Sequence, residues 1–452
     1  MITLPQSYKR NMFFKTTRPL KKGSKELINA WASYDWANSV YPLVISSAIF
    51  PIYYGSLFSE IKTIDFFGSQ IKYSAMISFI TAFAFIIISI ITPILSGIAD
   101  YIGNKKKFMK FFVYLGSISC VGLYWFELKT IYVGLTFYFF SLIGVWCSFT
   151  FYNSYLPDIA FPEQQNRASA RGYSMGYIGS VILLLFNLSM VMNPELYGIH
   201  GSKLEASMTA MKYSFISVGI WWALFSQISF FYLPKGNHTN KLSKDVFWNG
   251  YKEIKLVLDQ LINNLRLKRF LIAFFIYSMS LQTVLLIATY FGEAEIQWSN
   301  STEKTVGLIV SILLIQIVAI FGAILTARAS ERFGNLPVLI VINIIWAFLC
   351  VRAFYIHTPI EFYLIAGLVG LVMGGLQSLS RSTYSIYIPK TKDTASFFSF
   401  YSVTEKVAII IGMIMFGMID QITGSMRNSV LVFALFFIVG VILLLRVPKF
   451  HD

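Results

Sequence analysis

The chain has 452 residues, of which 56% are hydrophobic and only 13% charged, a composition that excludes an ordinary soluble domain. Its formal net charge of +15 would suit a nucleic-acid partner if it lay in a folded basic domain. Here Lys and Arg sit in short loops and at the ends, which excludes nucleic acid and points to a chain built around a lipid bilayer.

Residues 1–28 form a basic arm (Lys9, Arg10, Lys15, Arg18, Lys21, Lys22, Lys25). Its charge suits the start of a secretory signal. The apolar run behind it is too long and lacks a small-x-small cleavage site, so a retained first helix is expected. That run opens with Trp31-Ala-Ser-Tyr-Asp35-Trp-Ala-Asn38-Ser-Val-Tyr-Pro42 and stays apolar to Phe58. Asp35, Asn38 or Ser39, Pro42 and Ser46 recur at helical spacing and share one face. A charge at membrane depth costs about 2.5–3.5 kcal/mol even on the lenient insertion scale, so this face is expected to point into protein or a wet cavity. Trp31, Tyr34, Trp36 and Tyr41 either stack on a solute or belong to an interfacial belt.

Further stretches of spanning length follow at 72–99, 108–127, 131–156, 171–192, 211–233, 269–291, 305–328, 336–356, 360–388, 397–419 and 428–446. With both termini cytoplasmic, most of the 37 Lys and Arg fall on the cytoplasmic side, as the positive-inside rule requires. Two cytoplasmic ends need an even number of spans, which supports twelve. The longest cytoplasmic segment divides them six and six. The expected organisation is an arm (1–28), a six-helix bundle (29–233), a linker (234–268), a second six-helix bundle (269–447) and a tail (448–452). Within the linker Phe247, Tyr251, Ile254, Leu258, Leu261 and Leu265 recur every three or four residues. They predict an amphipathic helix, either on the membrane surface or packed under the bundle.

The two halves echo each other. After the second span comes Ser96-Gly-Ile-Ala-Asp100-Tyr-Ile-Gly103-Asn-Lys105-Lys106-Lys107, and after the eighth Ala327-Arg-Ala-Ser-Glu331-Arg332-Phe-Gly334-Asn. The fourth and tenth spans end in Tyr152-Asn-Ser-Tyr-Leu-Pro157 and Tyr384-Ser-Ile-Tyr-Ile-Pro389. Duplication of this kind is expected of transporters built from repeats.

The first of these loops resembles the signature of the major facilitator superfamily, with Ser96 for the leading glycine, Tyr101 where arginine is common and Asn104 for a basic residue. Tyr34-Asp35-Trp36-Ala37-Asn38-Ser39, Leu156-Pro157-Asp158, Arg171-Gly172-Tyr173-Ser174-Met175-Gly176-Tyr177 and Gly374-Gly375-Leu376-Gln377-Ser378-Leu379-Ser380-Arg381-Ser382 resemble one branch of it. That branch includes the yeast vacuolar amino-acid effluxer linked to autophagy and its prokaryotic relatives. The resemblance implies an all-α polytopic fold of twelve helices in two six-helix halves, and solute transport. It also implies that Asp100, Gly103, Lys105 and Lys106, with Glu331, Arg332 and Gly334 in the second copy, form a cytoplasmic gate rather than a solute site.

Four ionisable groups lie where a span should be apolar: Asp35, Arg381, Glu405 and Lys406. Asp35 and Arg381 suit the ammonium and carboxylate of a zwitterion, because a guanidinium donates two parallel hydrogen bonds to a carboxylate. The alternative is a bridge from Arg381 to Asp35 or Glu405 that ties helices together. Glu405 is the candidate proton-coupling carboxylate. Lys406, adjacent and pointing about 100° away, is expected to snorkel rather than share a cavity with Glu405. Asn38, Asn153, Gln282 and Gln377 are the neutral polar groups within spans, against a reading as interhelical hydrogen bonds. Gly172, Gly176 and Gly179 suggest close helix packing.

Cys120, Cys147 and Cys350 lie inside spans without ligand spacing and read as small hydrophobes. His200, His238, His357 and His451 fall in loops or at the terminus. No metal, cofactor or ATP-binding loop is expected. The expected function is alternating-access transport of a small polar solute, an amino acid or similar metabolite, with protons as one candidate coupling ion. The setting is a monomer in a bacterial inner membrane. A membrane enzyme acting on a lipid-linked substrate lacks a catalytic set here, and a non-transporting receptor or scaffold gains little from four intramembrane charges.

Overall fold

A computed structural model describes residues 20–58, 63–66, 68–236 and 246–448. Most of the basic arm, residues 237–245 of the linker and the last four residues, with His238, His451 and the side chain of Phe247, lie outside the described residues. Twelve helices in the described residues are long and apolar enough to cross a membrane, as expected.

Helix α1 (Lys25–Asn38) starts where Ser24 accepts a hydrogen bond from the Leu27 N–H, so it begins within the expected arm. Pro42 cannot donate to a helix and its ring crowds the turn before it. The first span accordingly passes through a π-type winding over Tyr41–Ala48 before resuming as α2 (Ile49–Leu57). The chain then makes a hairpin that the sequence reading did not expect, β1 (Thr63–Phe66) paired antiparallel with β2 (Ser69–Lys72). Crossings follow in α3 (Tyr73–Ile102), α4 (Lys105–Gly122), α5 (Ile131–Asn153), α7 (Pro162–Met192) and α8 (Lys203–Tyr232), with a single turn, α6 (Leu156–Ile159), between α5 and α7. After α9 (Val246–Asn263) come α10 (Leu265–Glu295), α11 (Ser301–Phe333), α12 (Asn335–Tyr355), α13 (Pro359–Tyr387), α14 (Thr394–Thr423) and α15 (Met426–Leu445). One end of the bundle therefore carries α9 and the described termini, the linker end; the other carries the hairpin.

Two helices start well before the apolar signal. Helix α7 begins at Pro162 rather than 171, with the Gln164 side chain accepting from the Phe161 N–H. Helix α8 begins at Lys203 rather than 211, behind a Ser202–Glu205 capping box. Apolarity marks the hydrocarbon layer, whereas polar caps mark helix ends.

Each half has its own apolar core. In the first, α4 and α5 cross at Gly116 and Gly144, where a Cβ on Gly144 would lie 2.4 Å from Gly116 Cα. Helix α9 docks on α3 in the same way: a Cβ on Gly97 would sit 2.3 Å from the Gly250 carbonyl. The stripe turned inward is Gly250, Ile254, Val257 and Leu261, so the packed face is rotated from the expected one. Trp248, Tyr251 and Leu258 remain exposed, as does Leu265 at the start of α10. Burial, and next the nearby Asp393 carboxylate, push the Glu253 carboxyl of α9 up. Asp393 immediately precedes α14, so α9 lies beside the seam where α3 of one half meets α14 of the other.

Gly144→Leu forces side-chain atoms into the α4 backbone, a clash of the overpacking kind that costs about 1–3 kcal/mol. It is expected to lower the melting temperature of the detergent-purified protein. A surface Ala→Leu substitution should leave it unchanged.

Candidate functional site: a buried ion pair between the halves

Arg381 projects from α13 in the second half and is 0% exposed, and its partner Asp35 on α1 in the first half is 1% exposed. Both guanidinium NH2 groups donate to Asp35 Oδ2 at 3.2 Å. One of them also donates to Asn153 Oδ1 at 3.2 Å, the other to the Ser169 carbonyl at 2.9 Å, and Nε donates to Ser169 Oγ at 2.9 Å. Every N–H of this side chain is thereby given to the opposite half, which meets the condition for burying a charge: pairing plus full hydrogen bonding.

The surroundings hold the pair in place. Tyr152 donates to Asp35 Oδ2 at 2.8 Å. The guanidinium lies 4.2 Å from the Tyr173 ring and 4.8 Å from Trp31, contacts attractive to a desolvated cation. Trp31 stacks on Tyr152 and donates from Nε1 to its carbonyl. Helix α7 approaches through glycine: a Cβ on Gly172 would lie 2.3 Å from Asp35 Oδ2 and 2.9 Å from an Arg381 nitrogen. Gly176 meets Ser39, just past the end of α1, and Gly179 meets Trp36 of α1. Close packing is their role as expected, with Gly172 additionally making room for the pair.

A second charged layer lies roughly 8 Å further from the linker end, counting 1.5 Å per helical residue. Lys406 does not snorkel. It folds back to Glu405 Oε2 at 2.6 Å, is 1% exposed, and lies 3.7 Å from the ring of Trp146 in the other half. The two side chains leave the helix in different directions but are long enough to meet, so the expectation that they stay apart is overturned. Gln282 on α10 donates to Glu405 Oε1 at 2.9 Å. Between the layers, Tyr177 of α7 donates to Gln377 of α13 at 2.9 Å, an interhelical bond across the halves. Asn38 is buried with its side-chain oxygen unpartnered.

The linker end is closed by the two echoed loops. Asp100 accepts from the backbone N–H groups of Ala395 and Ser396 at 3.2 and 2.7 Å, capping α14 of the other half where the helix dipole favours an anion. Gly103 makes the turn with φ +73°, a conformation that favours glycine. Lys105 reaches Asp158 at 2.5 Å and Thr394 Oγ1 at 2.7 Å, and Lys106 donates to the Leu233 carbonyl at 2.6 Å. Asn104, in place of the usual basic residue, caps α4. In the second copy Glu331 pairs with Arg167 of α7 and Gly334 turns with φ +83°. Arg332 lies over Phe333 of its own helix rather than crossing the seam. The two copies thus join α3 to α14 and α11 to α7, related positions in a duplicated fold. Hydrogen bonds and ion pairs join the halves at the linker end and at mid-depth.

Sequence reasoning picked out Asp35, Arg381 and Asn153 but missed the parts played by Tyr152, Ser169, Tyr173 and Trp146. Tyr34 and Tyr41 prove to be core residues bonded to Ser148 and Ser141, neither belt nor stacking platform. The echo of Tyr152-Asn-Ser-Tyr in span ten was a usable signal for Tyr152; Trp146 carried none.

Residues 23–451 match the family described as "Vacuole effluxer Atg22 like". A curated relative is the "Uncharacterized MFS-type transporter YxiO" of Bacillus subtilis, 30% identical over 426 residues, 93% of this chain and 94% of that one. "Autophagy-related protein 22" of Kluyveromyces lactis is 25% identical over 311 residues, 63% of this chain and 57% of the yeast protein; the chain thus matches little more than half the length of that relative. Among solved structures, the Escherichia coli fucose:proton symporter FucP superposes with a TM-score of 0.68 over 94% of this chain and 98% of that one. At 16% identity this likeness shows the fold alone.

Asp35→Asn leaves the Arg381 charge buried without an anion, a loss of about 3–5 kcal/mol. The Asp35→Leu/Arg381→Met double variant removes both charges and is expected to recover much of that loss. Thermal unfolding in detergent, followed for the single and double variants, checks the order.

Proposed function

The chain belongs to the family of Atg22-like vacuole effluxers, and on that premise we propose that it moves a small zwitterionic solute, an amino acid or close relative, by alternating access with proton coupling. Transport by a protein of the major facilitator type is the coarser statement that the family and the fold carry. The finer reading rests on one observation, the fully satisfied Asp35–Arg381 pair between the halves.

Rocking the halves apart at the linker end draws Arg381 away from Asp35, Asn153 and Ser169. Each charge is then left in a low-dielectric interior, where an unpaired ion costs several kcal/mol. A zwitterion relieves both at once. Its carboxylate takes the guanidinium fork in place of Asp35, and its ammonium takes Asp35 in place of Arg381. Solute binding thereby lowers the cost of leaving the linker-closed state, which is the differential interaction that a population shift requires. Sugars and nucleosides lack the paired charges and do not substitute.

Glu405 carries the proton. Its carboxylate is 14% exposed and held by Lys406 and Gln282, so protonation frees Lys406 at the contact with Trp146 of the other half. With the linker end on the cytoplasmic side, as the Lys and Arg distribution supports, the described conformation is closed to the cytoplasm. The protein works as a monomer, its termini cytoplasmic, in a bacterial inner membrane.

Flux into proteoliposomes tests this. Amino acids are expected to show counterflow, lost at least tenfold in Arg381→Ala and Asp35→Asn. Glu405→Gln is expected to keep counterflow but lose accumulation driven by a pH gradient. Counterflow of sugars or nucleosides but not amino acids, or full amino-acid counterflow in Arg381→Ala, contradicts the assignment.

A further inference from the structure

The two seams between the halves are not covered alike. Helix α9 lies beside the seam of α3 and α14, as described above. At the related seam of α7 and α11 there is instead a groove of about 1010 Å³, completed by the start of α1. Its apolar wall includes Met175, Ile178 and Ile324, and Ile178 and Ile324 are exposed on the outer surface of the bundle. Its polar part is basic. Lys25, Arg171 and Arg328 line it and are exposed. Among the described residues none of the three has an ion-pair partner. Of the acids in the groove, Glu331 is engaged by Arg167, and Glu163 lies in the first turn of α7.

Arg171 is the informative residue. It lies about 14 Å along α7 from Pro162, next to the glycine that touches the buried ion pair, yet points outward. A helix of 31 residues is about 46 Å long and overhangs a ~30 Å hydrocarbon layer by roughly 8 Å at each end. Arg171 therefore starts inside the hydrocarbon edge, where an unpaired guanidinium is costly. Its reach ends at headgroup depth, in a groove with apolar walls below and two further cations beside it.

We propose that this groove binds one phospholipid with an anionic headgroup, its phosphate held by Arg171, Arg328 and Lys25 and its acyl chains against Met175, Ile178 and Ile324. Basic pockets between membrane helices at headgroup depth suit this chemistry. The chain's own first nineteen residues are an unsuitable occupant by charge, since they contain Lys9, Arg10, Lys15 and Arg18 and no acid. The lipid bridges both halves, with α1 and α7 on one side and α11 on the other, so its affinity depends on how the halves sit.

Native mass spectrometry of the full-length protein, stripped of lipid and titrated with dioleoylphosphatidylglycerol or dioleoylphosphatidylcholine, tests the site. Wild type is expected to retain one phosphatidylglycerol in preference to phosphatidylcholine. Arg171→Gln/Arg328→Gln is expected to bind it at least about tenfold more weakly, a change of about 1.4 kcal/mol. Thermal unfolding of the same samples is the second readout: phosphatidylglycerol should raise the melting temperature of wild type and not of the double variant. Equal retention of the two lipids, unchanged binding in the double variant, or an equal thermal shift from inorganic phosphate alone overturns the proposal.

Discussion

The molecule depends on the condition under which a charge tolerates burial. A guanidinium with no access to water needs an anion and a partner for every N–H, and Arg381 finds all of them on the half it does not belong to. Much of the surrounding design serves that condition. Gly172 clears space for the carboxylate, Tyr152 steadies it, and Trp31 and Tyr173 offer ring faces to the cation. A pair of this kind contributes little net stability over apolar residues of the same size. The hydrogen bonds of Arg381 all cross from one half to the other, so the pair is satisfied in this docked arrangement.

The echoed loops extend the same logic toward solvent. Asp100 satisfies the free N–H groups at the start of α14, and Glu331 meets Arg167 near the start of α7. Both place an acid of one half at a helix start of the other, so closure is supported from both seams. The chemistry differs between copies: one uses backbone donors and the helix dipole, the other an exposed ion pair of smaller worth. Helix α9 packs beside one seam, whereas the other bears an open groove.

The fold was legible because the bilayer restricts it. Lengths of apolar sequence, the charge asymmetry of loops and the duplicated Asp100 and Glu331 loops led directly to twelve spans in two halves. Helix ends were less legible, since the polar turns before 171 and 211 belong to helices whose caps lie outside the hydrocarbon. The site was half legible. An isolated Asp35 or Arg381 in a span declares itself by its cost, whereas the neighbours that satisfy it are ordinary Tyr, Asn and Ser residues. Their role depends on how the halves dock, across a separation of 346 residues between Asp35 and Arg381. Lys406 shows the same limit: its snorkelling range was readable, but not the Trp146 ring that keeps it inside.

The most direct test is a spin-label distance across the linker end, with labels on Lys107→Cys of the first half and Lys390→Cys of the second. Both positions are exposed, whereas the three native cysteines are buried. If the Asp35–Arg381 pair is what holds the halves closed, the otherwise native protein should show one short distance. Introducing Asp35→Asn should then add a longer population. A distance distribution unchanged by that substitution, in protein that remains folded, would contradict the account.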